Sequence, residues 1–91
     1  MVNSYVAVDL ETTGLNPKAD RILEIGGLRI EDGKAVGEFQ MLVNPGFPLE
    51  ESVTRITGIT DAMAAEGEDP KRAVESFLSF CGGLPILGHR V

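Results

Sequence analysis

Ninety-one residues, 43% of them hydrophobic and 24% charged, describe one small globular domain spanning residues 1–91. The longest apolar stretches are only a few residues long, and the first residues lack the basic and apolar blocks of a secretion signal, so no membrane association is predicted. A formal net charge of −6 argues against a broad basic surface that binds nucleic acid through its phosphates. The single cysteine, Cys81, excludes an internal disulfide, which predicts a reducing, cytoplasmic compartment.

The first predicted element is a buried central strand over residues 5–10, a continuous β-prone run without a helical stripe. The sequence Thr-Thr-Gly at residues 12–14 follows and predicts a loop. Side chains two residues apart on an extended backbone point to the same side of a sheet. Asp9 and Glu11 are therefore predicted to present their carboxylates together, on or at the end of this strand.

Two further strands are predicted over residues 21–30 and 35–43, joined by an Asp32-Gly33 turn. Asp-Gly between β-prone runs is a strong hairpin signal, because both residues tolerate a positive φ. Apolar and polar side chains alternate along the later strand, as expected if one face is buried. The apolar set is Phe39, Met41 and Val43, and the polar set is Glu38 and Gln40.

The second half of the chain predicts helices and a last strand. Residues 44–48 break the sheet, and short helical turns are predicted over residues 52–56, ended by Gly58, and after Thr60 as a cap. Asp69 before Pro70 predicts the start of a longer helix that stops at Gly82-Gly83. Its expected buried stripe comprises Ala73, Val74, Phe77, Leu78 and Cys81. Residues 84–89 predict a fourth strand.

These elements predict an α/β fold with a mixed sheet. Three strands form an antiparallel meander, and a helix then crosses over to place the fourth strand parallel to the first. Only two residues follow His89, so no helix would cover the fourth strand. We therefore expect the chain to be the N-terminal portion of a larger domain, truncated at its C-terminus.

The Asp9–Glu11 pair has two interpretations from the residues alone. Same-side carboxylates suit hard divalent ions such as Mg²⁺ or Mn²⁺, and enzymes that cleave phosphodiesters often hold two such ions. The amides, hydroxyls and glycine that follow suit a bound nucleotide. Alternatively, the two acids end a strand at the surface and the next residues merely turn the chain, since Asp-x-Glu is a common pattern.

A resemblance favours the first interpretation. Four segments, at residues 8–15, 22–26, 43–45 and 56–60, occur in the order and spacing of DEDD-superfamily exonucleases. The chain most resembles the proofreading, epsilon-type exonuclease of bacterial DNA polymerase III. The resemblance implies a ribonuclease-H-like fold and the stepwise removal of nucleotides from a 3′ end by two metal ions.

The resemblance also implies roles for individual residues. Asp9 matches the metal ligand that touches both ions, and Glu11 the ligand of one. Thr12, Gly14 and Leu15 match the loop beside the 3′-terminal nucleotide. His89 opens the second motif, where it would contact substrate or orient the strand end. Arg90 stands where the family usually has Asn, and the remaining metal ligand of this motif and the whole third motif lie beyond the chain.

The implied substrate is a single-stranded DNA 3′ end, and the implied partner is a DNA polymerase subunit. With half of its metal ligands, the 91-residue chain is expected to be inactive alone. Two alternatives stay open: a non-catalytic fragment that binds nucleic acid or metal, and an RNA-directed exonuclease of the same superfamily.

Two features between these motifs have open interpretations. Glu24 lies among Ile and Leu residues, and it is either an exposed strand position or a supporting group near the metal site. Gly26-Gly27 indicates a bulge or a close approach of backbone to another element. The acidic stretch at residues 66–69 is interpreted as a solvated loop that leads into a helix cap.

Overall fold

The computed structural model describes residues 3–14 and 20–88, and the predicted order of strands and helices is confirmed there. The elements are β1 Tyr5–Thr12, β2 Ile22–Glu31, β3 Lys34–Leu42, α1 Glu51–Thr57, α2 Asp61–Ala65, α3 Pro70–Cys81 and β4 Ile86–Gly88. Strand β1 runs through Thr12, two residues further than predicted. Strand β4 begins at Ile86, two residues later than predicted, and its predicted end at His89 lies outside the described residues.

The four strands form one mixed sheet in the order β3-β2-β1-β4. Strands β1, β2 and β3 pair antiparallel, and β4 pairs parallel with β1 through Val6 and Ile86. The β2–β3 turn has the predicted chemistry, with φ of 52° at Asp32 and 77° at Gly33. The predicted mixed-sheet topology is therefore confirmed.

Helix α3 covers one face of the sheet and closes the main hydrophobic core. It packs mainly against β2 and β3. The core side chains are Val6, Ile25, Val43, Ala73, Phe77 and Cys81. A methyl group at Gly27 would come within 2.9 Å of Phe77 Cε1, so this glycine permits the close approach of α3. The register shifts of β2 lie elsewhere, so the close-approach interpretation is right for Gly27, whereas a methyl group at Gly26 would make only an ordinary contact, 3.6 Å from the Asp9 carbonyl oxygen.

The ends of α3 follow the sequence signals, whereas its predicted apolar stripe is partly wrong. The Asp69 carboxylate accepts a hydrogen bond from the Arg72 amide at 3.2 Å, and Gly82 ends the helix with φ of 59°. Val74 and Leu78 are 40% and 53% exposed. Periodicity placed them on the core side, but α3 lies over β2 and β3 and leaves this edge of the helix uncovered.

Helices α1 and α2 pack beside the start of β2 in a second small core. Leu23, Ile59 and Ala64 are its buried members. The Thr60 hydroxyl accepts from the Met63 amide at 3.2 Å, as the predicted cap requires. Because Thr12 pairs with Ile22, this second core lies near the carboxyl end of β1. None of the helices in the described ranges is long and apolar enough to cross a membrane.

Candidate active site

At β1, one face of the sheet packs against the hydrophobic core and the other face is open. Val6 is buried and Val8 packs against the α3 core. Since side chains alternate along a strand, Asp9 and Glu11 project from the opposite face. Asp9 is exposed and Glu11 is half-buried. The predicted same-side placement therefore holds, on a face that no described helix covers.

Strand β2 places a glycine beside Asp9 and a third carboxylate, that of Glu24, beside Glu11. Asp9 pairs with Gly26, which has no side chain to fill the adjacent space, and Glu11 pairs with Glu24. Directly opposed residues of an antiparallel pair point to the same face, about 5 Å apart at their Cβ atoms. The Glu24 carboxylate accepts a hydrogen bond from Gln40 Nε2 at 3.0 Å. Of the two interpretations of Glu24, its position fits the one that places it near the carboxylate pair.

The electrostatic environment of the pair fits a cation. Among the described residues, neither the Asp9 nor the Glu11 carboxylate takes part in a hydrogen bond or an ion pair. Adjacent carboxylates without a neutralising partner are the hard oxygen donors that Mg²⁺ and Mn²⁺ prefer. Within residues 3–14 and 20–88, no three acidic, histidine or cysteine side chains converge on one point. The described chain thus presents two carboxylates on one strand that could hold a cation.

The loop that follows β1 is closed at its base by the Thr13 hydroxyl. Thr13 Oγ1 donates to Asp20 Oδ1 at 2.9 Å and accepts from the Arg21 amide at 2.8 Å. The Thr12 hydroxyl donates to the Gly14 carbonyl at 2.7 Å. A methyl group at Gly14 would lie 2.8 Å from Asp20 Cγ, so a larger residue here would require the Asp20 carboxylate to move.

Of the substrate-contacting residues implied by the resemblance, Thr12 is the last residue of β1 and Gly14 lies in the loop that follows it. Leu15 and His89 lie outside the described residues, so their roles stay predictions. The sequence predicted Gln40 only as a polar position of the third strand and not as part of the site. Pairing the residues of β2 and β3 outward from the Asp32-Gly33 turn places β3 beside Glu24. A register shift between Arg29 and Ile30 then moves every later pair by one residue, which the sequence does not reveal.

Comparison with known proteins agrees with the fold and with the predicted family. The RNase_T exonuclease family model matches residues 6–90. The PolC-type DNA polymerase III of Lacticaseibacillus paracasei is 37% identical over 87 residues, which are 96% of this chain and 6% of that protein. The epsilon subunit of DNA polymerase III from Aquifex aeolicus is 32% identical over 88 residues, covering 97% of this chain and 44% of that subunit. This chain therefore spans less than half the length of either relative.

Solved structures of exonuclease I share the fold. A product-bound structure has a TM-score of 0.81 and 23% identity, covering 99% of this chain and 22% of that one. A zinc-bound complex of the Escherichia coli enzyme with single-stranded DNA has a TM-score of 0.75 and 22% identity, over 98% of this chain and 21% of that one. The predicted ribonuclease-H-like fold is confirmed. With a family model that matches nearly its whole length, the chain belongs to the exonuclease family.

Proposed function

We propose that this chain supplies the first half of the active site of a metal-dependent 3′-to-5′ exonuclease of the proofreading type, which removes nucleotides from DNA 3′ ends. The observation that carries the proposal is the pair Asp9 and Glu11. Both project from the open face of the central strand, without a partner among the described residues, directly before a glycine-containing loop. Family membership and the DNA polymerase III relatives support the same reaction.

In this proposal, Asp9 and Glu11 hold divalent cations, with Mg²⁺ or Mn²⁺ as the ions that suit two carboxylates. Asp9 would contact both ions of the complete site and Glu11 one. Bound ions would offset the repulsion between the two acids and stabilise the attacking and leaving oxygens of the phosphodiester. The strand backbone holds both carboxylates at fixed spacing, so little reorganisation is needed on binding.

Thr12, Gly14 and Leu15 would contact the 3′-terminal nucleotide, and His89 would contact substrate or orient the end of β4. Support comes from the loop geometry, in which the Thr13 hydroxyl and the close approach of Gly14 to Asp20 hold the start of the loop in place. A DNA polymerase subunit is the partner we propose, and the cytoplasm is the compartment. An RNA 3′ end is the alternative substrate, and parallel assays on DNA and RNA oligonucleotides would separate the two.

The decisive experiment uses a longer polypeptide that continues past residue 91 and a 3′-labelled single-stranded oligonucleotide with Mg²⁺ or Mn²⁺. Asp9→Ala is expected to abolish hydrolysis, because it removes the ligand shared by the ions. Glu75→Gln is the matched control, since it removes an exposed carboxylate on α3, which packs on the opposite face of the sheet. Undiminished hydrolysis by the Asp9→Ala protein would refute the assignment.

A second candidate describes the 91-residue chain by itself: it binds metal or nucleic acid but does not hydrolyse DNA. The convergence of only two carboxylates in the described ranges favours this candidate. Catalytic groups that act as a unit lose most of their effect when part of the set is missing. Chelator-sensitive hydrolysis by the purified chain, recovered in the monomer fraction of a sizing column, would contradict it.

A further inference from the structure

Phe47 is set apart from the other aromatic residues by its position. The chain contains four phenylalanines, one tyrosine and no tryptophan. Phe39, Phe77 and Phe80 pack together with ring centroids 5.4–6.4 Å apart. Tyr5 begins β1, at the end of the strand remote from Glu11. Phe47, in the loop between β3 and α1, is 44% exposed, so its ring is available to a ligand.

The Phe47 ring lines a cavity at the carboxyl end of β1. The cavity has a volume of about 230 Å³, and its lining includes Thr13, Asp20, Phe47, Leu49, Glu50 and Val53. Thr13 is two residues after Glu11, so at most about 7 Å of extended chain separates the cavity wall from the carboxylate pair. The cavity is therefore adjacent to the proposed site of the terminal nucleotide.

The walls of this cavity are held in place by hydrogen bonds. The Gly46 amide donates to Asn44 Oδ1 at 2.9 Å, which shapes the turn before Phe47. The Leu49 amide donates to Asp61 Oδ1 at 2.7 Å, which ties the loop to α2. On the opposite wall, the Thr13 hydroxyl bonds Asp20. A cavity formed in advance costs less entropy on ligand binding than one that must be ordered.

The charge and polarity of the lining select the kind of group that fits. Phe47, Leu49 and Val53 offer apolar surface, whereas Glu50 carries a carboxylate that repels a phosphate. The described lining contains no lysine or arginine. A neutral, planar nucleobase suits this lining better than the sugar-phosphate backbone does. In a chain of net charge −6, base stacking is also the contact with single strands that needs no basic surface.

We infer that this cavity, the Phe47 pocket, receives the base that adjoins the 3′-terminal nucleotide, with the Phe47 ring as its stacking surface. The inference rests on the proposed function and extends it. Stacking tolerates every base, so the pocket would hold the strand in register over the carboxylates without reading its sequence. Phe47 is thus a substrate-positioning residue.

Binding of a labelled single-stranded oligonucleotide to the 91-residue chain tests this role by fluorescence anisotropy. The buffer contains Ca²⁺, which takes oxygen ligands like those of Mg²⁺. Phe47→Ala is expected to weaken binding about tenfold, because a base–aromatic stack is lost. Phe47→Tyr keeps a ring and is expected to bind within about twofold of the parent chain. Leu78→Ala removes a comparably exposed apolar side chain on α3 and is the matched control.

A second oligonucleotide, abasic at the position next to the 3′ end, locates the contact. The parent chain is expected to bind it about tenfold more weakly, and Phe47→Ala should then add no further loss. Circular dichroism and thermal melting confirm that each variant folds. Equal binding by the parent chain and the Phe47→Ala chain would overturn the pocket and leave the proposed function standing. Absence of oligonucleotide binding by the parent chain would overturn the pocket and the substrate-binding part of the proposed function together.

Discussion

Glu11 and Glu24 are direct partners in the antiparallel register of β1 and β2, and both side chains project from the open face of the sheet. Like charges in this relation destabilise a sheet. Glu24 is also tied to β3, because its carboxylate accepts a hydrogen bond from Gln40. The open face therefore carries an unfavourable electrostatic arrangement that a bound cation would relieve, which leads to two separable predictions.

The first prediction concerns the stability of the chain without divalent ions. Glu24→Gln is expected to raise the free energy of unfolding by roughly 0.2–1 kcal/mol at low salt, because it removes one of two opposed charges and keeps an acceptor for Gln40. Added salt should shrink the gain. Urea denaturation measures it, with Glu38→Gln as the control whose strand partner is a leucine. A loss of stability in the Glu24→Gln chain would contradict the electrostatic explanation.

The second prediction separates stability from metal binding. Glu11→Gln is expected to relieve the same repulsion but to weaken Mn²⁺ binding about tenfold or more, because an amide oxygen replaces a charged ligand. Titration calorimetry on the 91-residue chain gives the affinity without any need for hydrolysis. Glu24→Gln serves as the comparison and should change the affinity less. If the two substitutions weakened Mn²⁺ binding equally, Glu24 would have to be counted among the ligands.

The third prediction uses the neighbouring glycines of β2. Gly27→Ala is expected to lower the free energy of unfolding by about 1–3 kcal/mol, because the new methyl group meets the Phe77 and Phe80 rings at 2.9 and 3.3 Å. Gly26→Ala is the matched control, since its nearest neighbour is the Asp9 carbonyl oxygen at 3.6 Å, an ordinary contact. Thermal or urea unfolding compares the two. Similar stabilities would show that α3 can shift away from the sheet at little cost.

The fourth prediction concerns the loop after β1. Thr13→Val keeps the shape of the side chain but removes a donor to Asp20 and an acceptor for the Arg21 amide. We expect a loss of about 1 kcal/mol in stability and faster hydrogen exchange of the Arg21 amide. Thr13→Ser retains both hydrogen bonds and should behave like the parent chain. Unchanged exchange at Arg21 in the valine variant would mean that the backbone pairing alone closes the loop.

The fifth prediction is a pH dependence carried by Cys81. Burial raises the pKa of this thiol, and the positive charge of Arg29 opposes the rise only in part. The unfolded chain then loses the thiol proton first, so this contribution to stability is fully present below the ordinary pKa of about 8.5. It is lost as the pH rises through the raised folded-state value. The urea midpoint should decrease between pH 8 and pH 10, and the decrease should be smaller in the Cys81→Ala chain than in the parent chain.

Local chemistry in the sequence determined the elements and their ends. Asp32-Gly33 specifies a tight hairpin because both residues accept positive φ, and Asp69-Pro70 specifies a helix start because it supplies a capping acceptor and a preset backbone angle. The shared face of Asp9 and Glu11 follows in the same way from the two-residue period of a strand. Such features depend on residues close together in the chain, so no knowledge of the packing is needed.

The surroundings of the carboxylate pair depend on the packing of the whole fold. The pairing of Glu11 with Glu24 depends on the register between β1 and β2. The sequence of the long connection between these strands does not predict that register. The exposure of Val74 and Leu78 depends on which strands α3 covers, and helical periodicity does not predict those strands. The approach of Phe47 to Thr13 joins residues 34 positions apart through the docking of the β3–α1 loop. Strand register, helix placement and loop docking depend on contacts between residues that are far apart in the sequence. They determine the surroundings of Asp9 and Glu11, whereas the shared face of these two residues follows from the local strand.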